Sequence, residues 1–357
     1  MTTTAVSNSL THGRLPKAAP WAILAVSWFA MIAIFLLLQL AGTTDDFNIA
    51  GALFFGTLLY LVAIVVVSML VEGSRQAKDR LATALVLTAF VIALLPLISL
   101  VFTVVTNGAA RFDLAFFTES LRGVVGAGGG ALHAIVGTLL ITGLATLISV
   151  PIGLMTAIYL VEYGRGPLAR GVTFLVDVMT GIPSIVAGLF AYALFTIILG
   201  QPGVRLGIAG SIALSVLMIP VVVRASEEML RLVPNELREA SYALGVPKWL
   251  TVVKIVLPTS IAGIVTGVVL AIARVIGETA PLLVVAGITT SMNYDLFEGP
   301  MASLPVFVFS SYDIQGTDTQ AYLDRAWAGA LTLILIVMVL NLTARLIARA
   351  FAPKLGR

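Results

Sequence analysis

The sequence predicts an all-α membrane protein with about eight transmembrane helices. Of its 357 residues, 59% are hydrophobic and only 11% are charged, a balance typical of integral membrane proteins. The apolar residues also fall into runs long enough for a helix to cross the hydrocarbon core, which takes about 20 residues. These runs cover about 21–41, 50–71, 82–105, 131–161, 172–199, 206–226, 258–287 and 327–349.

The N-terminal region predicts two helices that precede a set of six. Residues 1–20 are polar and rich in Ser and Thr, and we interpret them as a cytoplasmic tail. The run 21–41 is too long for a typical signal-peptide core, and no good Ala-x-Ala cleavage site follows it, so it predicts a retained helix. We therefore assign 21–75 to two additional transmembrane helices, 82–349 to the six that follow, and 350–357 to a second cytoplasmic tail.

The distribution of basic residues predicts the orientation in the membrane. If both termini are cytoplasmic, 16 of the 21 Lys and Arg residues lie on the cytoplasmic side and four lie on the opposite side. The remaining one, Arg274, lies inside an apolar run. Because cytoplasmic loops carry the excess of Lys and Arg, this split predicts a multi-pass protein of the plasma membrane with both termini in the cytoplasm.

Several functions are excluded by what the chain lacks. It has no cysteine, which excludes disulfides and thiolate metal sites. It has no Gly-x-x-x-x-Gly-Lys-Ser/Thr segment, so it is not expected to hydrolyse ATP itself. No cluster of His and acidic residues has metal-ligand spacing, and no nucleic-acid partner is expected. The glycines at 126–130 predict a flexible hinge rather than a nucleotide site, because no strand–turn–helix unit surrounds them.

A stretch at 227–258 separates two apolar runs and predicts a cytoplasmic loop. Its first half predicts a short helix with Asn235 as the N-cap and Gly245 at the end. Lys248 is expected to begin a second helix, which leads into the next span. The two segments that organise this loop are Glu239-Ala240-Ser241-Tyr242-Ala243-Leu244-Gly245 and, nine residues later, Ile255-Val256-Leu257-Pro258.

This pattern resembles the EAA loop of ABC-importer permeases, the membrane subunits that separate ATPases drive. It matches at every fixed position except Ser241, where alanine is commoner. The resemblance implies that the loop docks into a cleft on the ATPase; an ordinary amphipathic cytoplasmic loop is the alternative. The implied coupling residues are Glu239, Ala240, Ser241, Gly245, Leu257 and Pro258.

A charged pair inside the seventh apolar run marks a candidate ligand site. A charge at the bilayer centre costs about 3 kcal/mol or more, so such a residue is a functional candidate by default. Arg274 and Glu278 are four residues apart and are expected to neutralise each other on one helical face. Pro281 crowds the carbonyl of Gly277, so the helix is expected to kink or open there. Arginine beside a broken helix, with Thr279 adjacent, suits a tetrahedral oxyanion; a purely structural ion pair is the alternative.

A second interruption is predicted in the fifth apolar run. Gly181 and Pro183 are expected to break the helix, and a new half-helix is expected to begin with Ser184 close to its free backbone N–H groups. Helix N-termini attract anions, and transporters use half-helices in this way. Asp177 is expected to face the cytoplasmic interface or a partner. The alternative is a simple proline kink beside an interfacial carboxylate.

Three segments narrow the resemblance further. They are Arg274-Val-Ile-Gly-Glu-Thr-Ala-Pro-Leu-Leu, Gly181-Ile-Pro-Ser-Ile-Val-x-Gly-Leu and Tyr159-Leu-Val-Glu-Tyr-Gly. They resemble phosphate-importer permeases of the PstA type, over roughly 82–349. The resemblance implies a second, related permease of the PstC type, an ATPase homodimer of the PstB type and an extracytoplasmic phosphate-binding protein of the PstS type. It implies no cofactor in this chain, because ATP and Mg²⁺ belong to the ATPase.

The expected function is therefore that of a permease subunit in an ATP-driven phosphate importer that works by alternating access. Arg274, Glu278, Thr279 and Ser184 are the expected substrate-pathway residues. Three alternatives remain at this point: a PstC-type permease or an ABC permease for another oxyanion, an ion-coupled transporter, and a membrane sensor of phosphate status.

Overall fold

A computed structural model describes residues 13, 15–42, 46–316 and 318–351, with the backbone alone at 350 and 351. Within these ranges the regular structure is entirely helical. Seven helical segments are long and apolar enough to cross a membrane, and a bent pair of helices forms an eighth candidate. The all-α prediction with about eight spans is confirmed. The helices are α1 Ala19–Leu40, α2 Ile49–Val71, α3 Ser74–Gly108, α4 Leu114–Thr118, α5 Leu132–Ile158, α6 Pro167–Thr180, α7 Ser184–Leu199, α8 Gly207–Arg231, α9 Asn235–Ala243, α10 Lys248–Thr251, α11 Leu257–Val275, α12 Ala280–Val285, α13 Leu304–Asp313 and α14 Thr319–Phe351.

The chain divides into two compact units, Met1–Val101 and Phe102–Arg357. In the first unit α1 packs against α2. The α2 side chains that are buried recur every four residues, as expected for a single helical face. Gly56 lies on this face, and a Cβ atom there would lie 2.7 Å from Cδ1 of Trp28. The buried residues of α2 are Ala52, Gly56, Tyr60, Ile64 and Ser68.

The core of the second unit is built around α5 and α8, which pack along each other. Ser211 of α8 donates a hydrogen bond to the Ile141 carbonyl of α5 at 3.0 Å, and the Ser215 hydroxyl lies 3.4 Å from the Ala145 carbonyl. Small residues permit this close approach, as is common between membrane helices. Apolar side chains of α11 and α12 pack against the same cluster, so α8 lies at the centre of this unit.

The predicted span 172–199 consists of two helices rather than one. Helix α6 ends at Thr180, α7 begins at Ser184, and the two are bent by 108°. Gly181 follows α6 directly and Pro183 precedes α7. The predicted break is therefore confirmed, although 108° is much more than a kink.

The predicted span 258–287 also differs from the structure. The helical segment begins earlier, at Lys248, passes through one π-helical turn at Val252–Val256 and ends at Val275. Residues 276–279 are not helical, and Pro281 lies in the first turn of the separate helix α12. The break predicted from Gly277 and Pro281 is confirmed.

Helix α9 forms as predicted within the loop at 227–258, but its predicted N-cap does not. Pro234 is the capping residue, and no side chain caps the helix. Asn235 is the first helical residue, and its Oδ1 accepts a hydrogen bond from Arg238 at 3.3 Å. Asn235 is therefore inside the helix, where its side-chain oxygen cannot serve as a cap, and the predicted cap is wrong.

Candidate functional site

The two helix breaks lie together in the second unit. Gly188 of α7 faces Pro281 so closely that a Cβ atom on the glycine would lie 2.7 Å from the proline Cα. Close approach of this kind requires glycine. The break between α6 and α7 and the break between α11 and α12 therefore open onto the same region.

A cavity of about 180 Å³ occupies this region. Two of its lining residues are charged, Arg274 and Glu278, and two carry hydroxyl groups, Thr180 and Ser184. Apolar residues of α8 complete the wall beside them. Three of the four predicted pathway residues thus line one cavity; the fourth, Thr279, precedes α12 and is not part of the lining.

The predicted ion pair between Arg274 and Glu278 does not form. Among the described residues, neither side chain makes an ion pair or a hydrogen bond. The reason is that α11 ends at Val275, and the Glu278 N–H donates to the Val275 carbonyl at 3.1 Å in a turn. The four-residue spacing places two side chains on one face only within a continuous helix. The Arg274 guanidinium and the Glu278 carboxylate can therefore each bind another group, such as a ligand.

The hydroxyl groups in the cavity differ in what they can offer. Thr180 donates its proton to the Val176 carbonyl at 2.9 Å, so its oxygen remains only as an acceptor. Ser184, the first residue of α7, forms no side-chain hydrogen bond within the described part of the chain. Serine can donate or accept. The cavity thus combines a cation, a carboxylate and one free hydroxyl.

The loop between α8 and α11 presents a compact helical turn. Gly245 has φ +77°, a conformation that favours glycine, and it follows the end of α9. Behind it, Ser241 and Thr251 share a buried hydrogen bond of 2.8 Å between their hydroxyl oxygens. Glu239 and Ala240 are exposed on the outer side of α9.

Exposed apolar side chains follow this helix in the sequence. Leu244 is 83% exposed and Trp249 is 61% exposed. Pro258 at the start of α11 is also exposed, whereas Leu257 is half-buried. Large apolar residues clustered on a short polar loop are typical of a surface that meets a partner.

Comparison with known proteins identifies the family. Residues 149–357 match the family described as the binding-protein-dependent transport system inner membrane component. The chain belongs to this family. It is 50% identical over 276 residues to the phosphate transport system permease protein PstA 1 of Mycobacterium tuberculosis (strain CDC 1551 / Oshkosh), covering 76% of this chain and 89% of that protein.

A second relative and a solved structure extend the comparison. The phosphate transport system permease protein PstA of Yersinia pestis is 43% identical over 284 residues, which cover 79% of this chain and 93% of that protein. A chain in the crystal structure of a bacterial alginate ABC transporter, in complex with an alginate pentasaccharide-bound periplasmic protein, aligns with a TM-score of 0.55 at 17% identity. That alignment covers 78% of this chain and 97% of the other, and it shows a shared fold.

The structure also contains a buried ion pair that the sequence did not predict. Arg238 of α9 donates to one oxygen of Glu162, at 3.0 Å from Nε and 2.8 Å from Nη2. Glu162 lies in the π-helical turn Tyr159–Tyr163 that follows α5. Lys248 donates to the Glu162 backbone carbonyl. The acidic residue inside Tyr159-Leu-Val-Glu-Tyr-Gly was the available signal, but it did not indicate a partner.

A second charge network involves Asp177, which was expected to face the interface or a partner. In the structure it pairs with Arg224 of α8. Arg224 also donates to Glu227 at 2.7 Å, and Arg231 donates to the same carboxylate at 2.6 Å. Arg224 lies one helical turn from the cavity wall on α8, so this network joins α6 to α8 beside the cavity.

The glycine-rich segment at 126–130, for which the composition predicts a flexible hinge, accepts hydrogen bonds from two arginines. Arg325 Nη1 donates to the carbonyls of Gly126 and Gly128 at 2.8 and 3.0 Å. Arg111 Nη2 donates to the carbonyl of Gly129 at 2.7 Å. These three glycines have positive φ, which explains the composition. Arginines far away in the sequence thus hold the turn, which the composition did not predict.

Proposed function

We propose that this chain is the membrane permease subunit of an ATP-driven importer of inorganic phosphate. The observation that carries the proposal is the 50% identity with a PstA permease, over 89% of that protein's length. The same match extends through three quarters of this chain, too much for a shared loop motif alone. Helices α1 and α2 precede the region, roughly 82–349, that resembles phosphate-importer permeases. The proposal assigns them no role.

The cavity at the two helix breaks supports an oxyanion as substrate. Arg274 brings a planar guanidinium, which suits the oxygens of a tetrahedral anion. The Ser184 hydroxyl and the backbone N–H groups at the start of α7 add donors, and helix N-termini attract anions. A buried anion needs fixed positive charge and donors because little water is available to it. Arg274 is exposed on the single chain, as a pathway between two permeases requires.

Coupling to ATP is assigned to α9 and its glycine turn. The chain has no P-loop sequence, so ATP and Mg²⁺ are expected to bind a separate ATPase homodimer, and this chain then requires no cofactor of its own. The exposed face that carries Glu239 and Ala240, with Leu244 beside it, is suited to a groove on that ATPase. Closure of the ATPase dimer would then move α9, and the connected helices would alternate access to the cavity.

The proposed assembly contains a second, related permease, the ATPase pair and an extracytoplasmic phosphate-binding protein. Both termini are placed in the cytoplasm, in agreement with the distribution of basic residues. Purification of the tagged chain from its own membranes, followed by mass spectrometry, tests the partners. An ATPase and a second permease are the expected companions.

Transport by the purified complex in vesicles tests the substrate. We expect labelled phosphate to accumulate only with ATP and the binding protein. Uptake driven by an ion gradient without ATP would indicate a secondary transporter. Retention of the partners without any uptake would indicate a sensor, and uptake of sulfate in place of phosphate would indicate a permease for another oxyanion. Each of these results contradicts the proposal.

A further inference from the structure

The carboxylate of Glu278 lines the cavity that contains Arg274. It is half-buried and, within the described ranges, it forms neither an ion pair nor a side-chain hydrogen bond. An unpaired carboxylate near a site for an anion weakens the binding of that anion through like-charge repulsion. Its presence beside Arg274 therefore calls for a function other than neutralising the arginine, with which it does not pair.

The chemistry of a carboxylate indicates what it can recognise. An ionised carboxylate only accepts hydrogen bonds. A fully ionised oxyanion such as sulfate also only accepts, so the two repel and form no hydrogen bond. Inorganic phosphate still carries at least one proton at neutral pH, and its P–OH group can donate to the carboxylate. Such an O–H···O⁻ bond is short and charge-assisted, roughly twice as strong as a neutral one.

We propose that Glu278 makes the cavity selective for protonated tetrahedral oxyanions, by accepting a hydrogen bond from the P–OH group while Arg274 binds the ionised oxygens. This inference rests on the proposed function, because it concerns the ligand of the same cavity. Of the other cavity groups, Thr180 has an oxygen that can accept, but it is neutral and does not repel sulfate. Among the described residues that line the cavity, Glu278 carries the carboxylate, and it is therefore the group that can reject an anion without a proton.

The expected selectivity is large. A site built around one hydrogen bond rejects an analogue that lacks it by as much as about 10⁴-fold when the unpaired group is fully buried. Glu278 is only half-buried, so water can partly solvate it when sulfate binds. We therefore expect phosphate to bind on the order of 100-fold more tightly than sulfate.

The test is equilibrium binding of labelled phosphate to the purified membrane complex, permeases with their ATPase, without the soluble binding protein. Omitting that protein is necessary because it has its own selectivity. Unlabelled arsenate and sulfate serve as competitors. Arsenate keeps a proton at neutral pH as phosphate does, whereas sulfate does not. In the unmodified complex, arsenate should compete at concentrations similar to phosphate, and sulfate only at about 100-fold higher concentrations.

Three variants make the test specific. Glu278→Gln replaces the carboxylate by an amide that can donate, so sulfate should compete within about 10-fold of phosphate. Glu278→Asp keeps the carboxylate and should keep the preference. Glu119→Gln removes an exposed carboxylate outside the cavity and should behave as the unmodified complex.

Two results would overturn the inference. One is equal competition by sulfate and arsenate in the unmodified complex, which can be measured even if Glu278→Gln does not fold. The other is a preference for phosphate over sulfate that Glu278→Gln leaves unchanged. If the unmodified complex binds no phosphate at all and supports no uptake, the proposed function itself fails, and this inference fails with it.

Discussion

Arg238 of α9 and Glu162 of the turn after α5 form a buried ion pair across 76 residues of sequence, with a shortest distance of 2.8 Å. Their side chains are 12% and 4% exposed. Arg238 also donates to the carbonyls of Leu230 and Val233, at 2.9 and 2.6 Å. The arginine therefore ties α9 to the end of α5 and to the end of α8. In the proposed mechanism, these contacts of Arg238 transmit the motion of the ATPase from α9 to the membrane-spanning helices α5 and α8.

We predict that Glu162→Gln destabilises the protein and loosens its coupling to the ATPase. The substitution leaves Arg238 as an unpaired, largely buried charge, which costs about 3 kcal/mol. The measurement is the thermal inactivation rate of the purified complex, together with the amount of ATPase that stays bound during purification. The double variant Glu162→Gln with Arg238→Met should recover much of the stability, because it also removes the unpaired charge of Arg238.

Glu119→Gln is the matched control for that prediction, since this glutamate is exposed and its side chain forms no hydrogen bond or ion pair among the described residues. Equal inactivation rates for Glu162→Gln and Glu119→Gln would show that the ion pair contributes nothing to stability.

Gly245 provides a second test of the coupling loop. A Cβ atom at this position would meet nothing within 4 Å, so within this chain a substitution there acts through the positive φ. Holding an ordinary residue in the left-handed region costs about 1–2 kcal/mol, and asparagine tolerates it best. We expect Gly245→Leu to reduce phosphate-stimulated ATP hydrolysis strongly while the chain stays in the membrane, and Gly245→Asn to be much milder. Normal stimulation in Gly245→Leu would refute this role for the glycine.

In the N-terminal unit, Glu72 should make stability depend on pH in a defined direction. Its carboxylate accepts hydrogen bonds from Arg80, from the Ser68 hydroxyl at 2.8 Å and from the Leu15 N–H at 2.9 Å. These bonds, that from Arg80 foremost, lower the pKa of Glu72 from 4.5 to about 2. A lowered pKa stabilises the fold above the unfolded-state value of 4.5, and the contribution is lost as the pH falls towards about 2.

We therefore expect Glu72→Gln to lower stability by about 2 kcal/mol at neutral pH. The difference from the unmodified protein should stay constant down to the unfolded-state pKa and shrink below it. Inactivation rates of both proteins across this pH range are the measurement. A difference that grows as the pH falls would have the wrong sign for this ion pair.

Labelling of introduced cysteines tests the orientation, because the chain has none of its own. Cysteines at Gln76 and Tyr242, both exposed, should react with a membrane-impermeant maleimide only after the membrane is opened. Cysteines at Leu114 and Gln315, also exposed, should react in intact cells. Reaction of the Tyr242 position in intact cells would overturn both the orientation and the proposed docking of α9 on an ATPase.

The parts of the structure that could be predicted from sequence depend on local chemistry. Glycine and proline act within a few residues, so the breaks at Gly181–Pro183 and Gly277–Pro281 were predictable. Apolar runs of sufficient length predicted the spans in the same way. By contrast, the Arg238–Glu162 pair and the arginines that hold the glycine turn join residues far apart in sequence, and local chemistry does not specify such partners.

One error came from combining two local rules that conflict. A pair four residues apart lies on one face only in an unbroken helix, yet the sequence also predicted a break at Gly277, between Arg274 and Glu278. The structure contains the break and lacks the pair. The two charges share a cavity because α11 and the turn after it face α6 and α7, a tertiary arrangement that spacing alone does not predict.

The most direct test of the account is uptake of labelled phosphate by vesicles that contain the complete complex with Arg274 substituted, with blots for every subunit. We predict that Arg274→Ala reduces uptake by at least about 100-fold while the complex still assembles. Arg274→Lys should recover little uptake, because lysine keeps the charge but lacks the planar guanidinium with its paired N–H donors. Since Arg274 and Glu278 do not pair, replacing both by leucine should not restore transport. Substantial phosphate uptake by the Arg274→Leu, Glu278→Leu double variant would contradict the account.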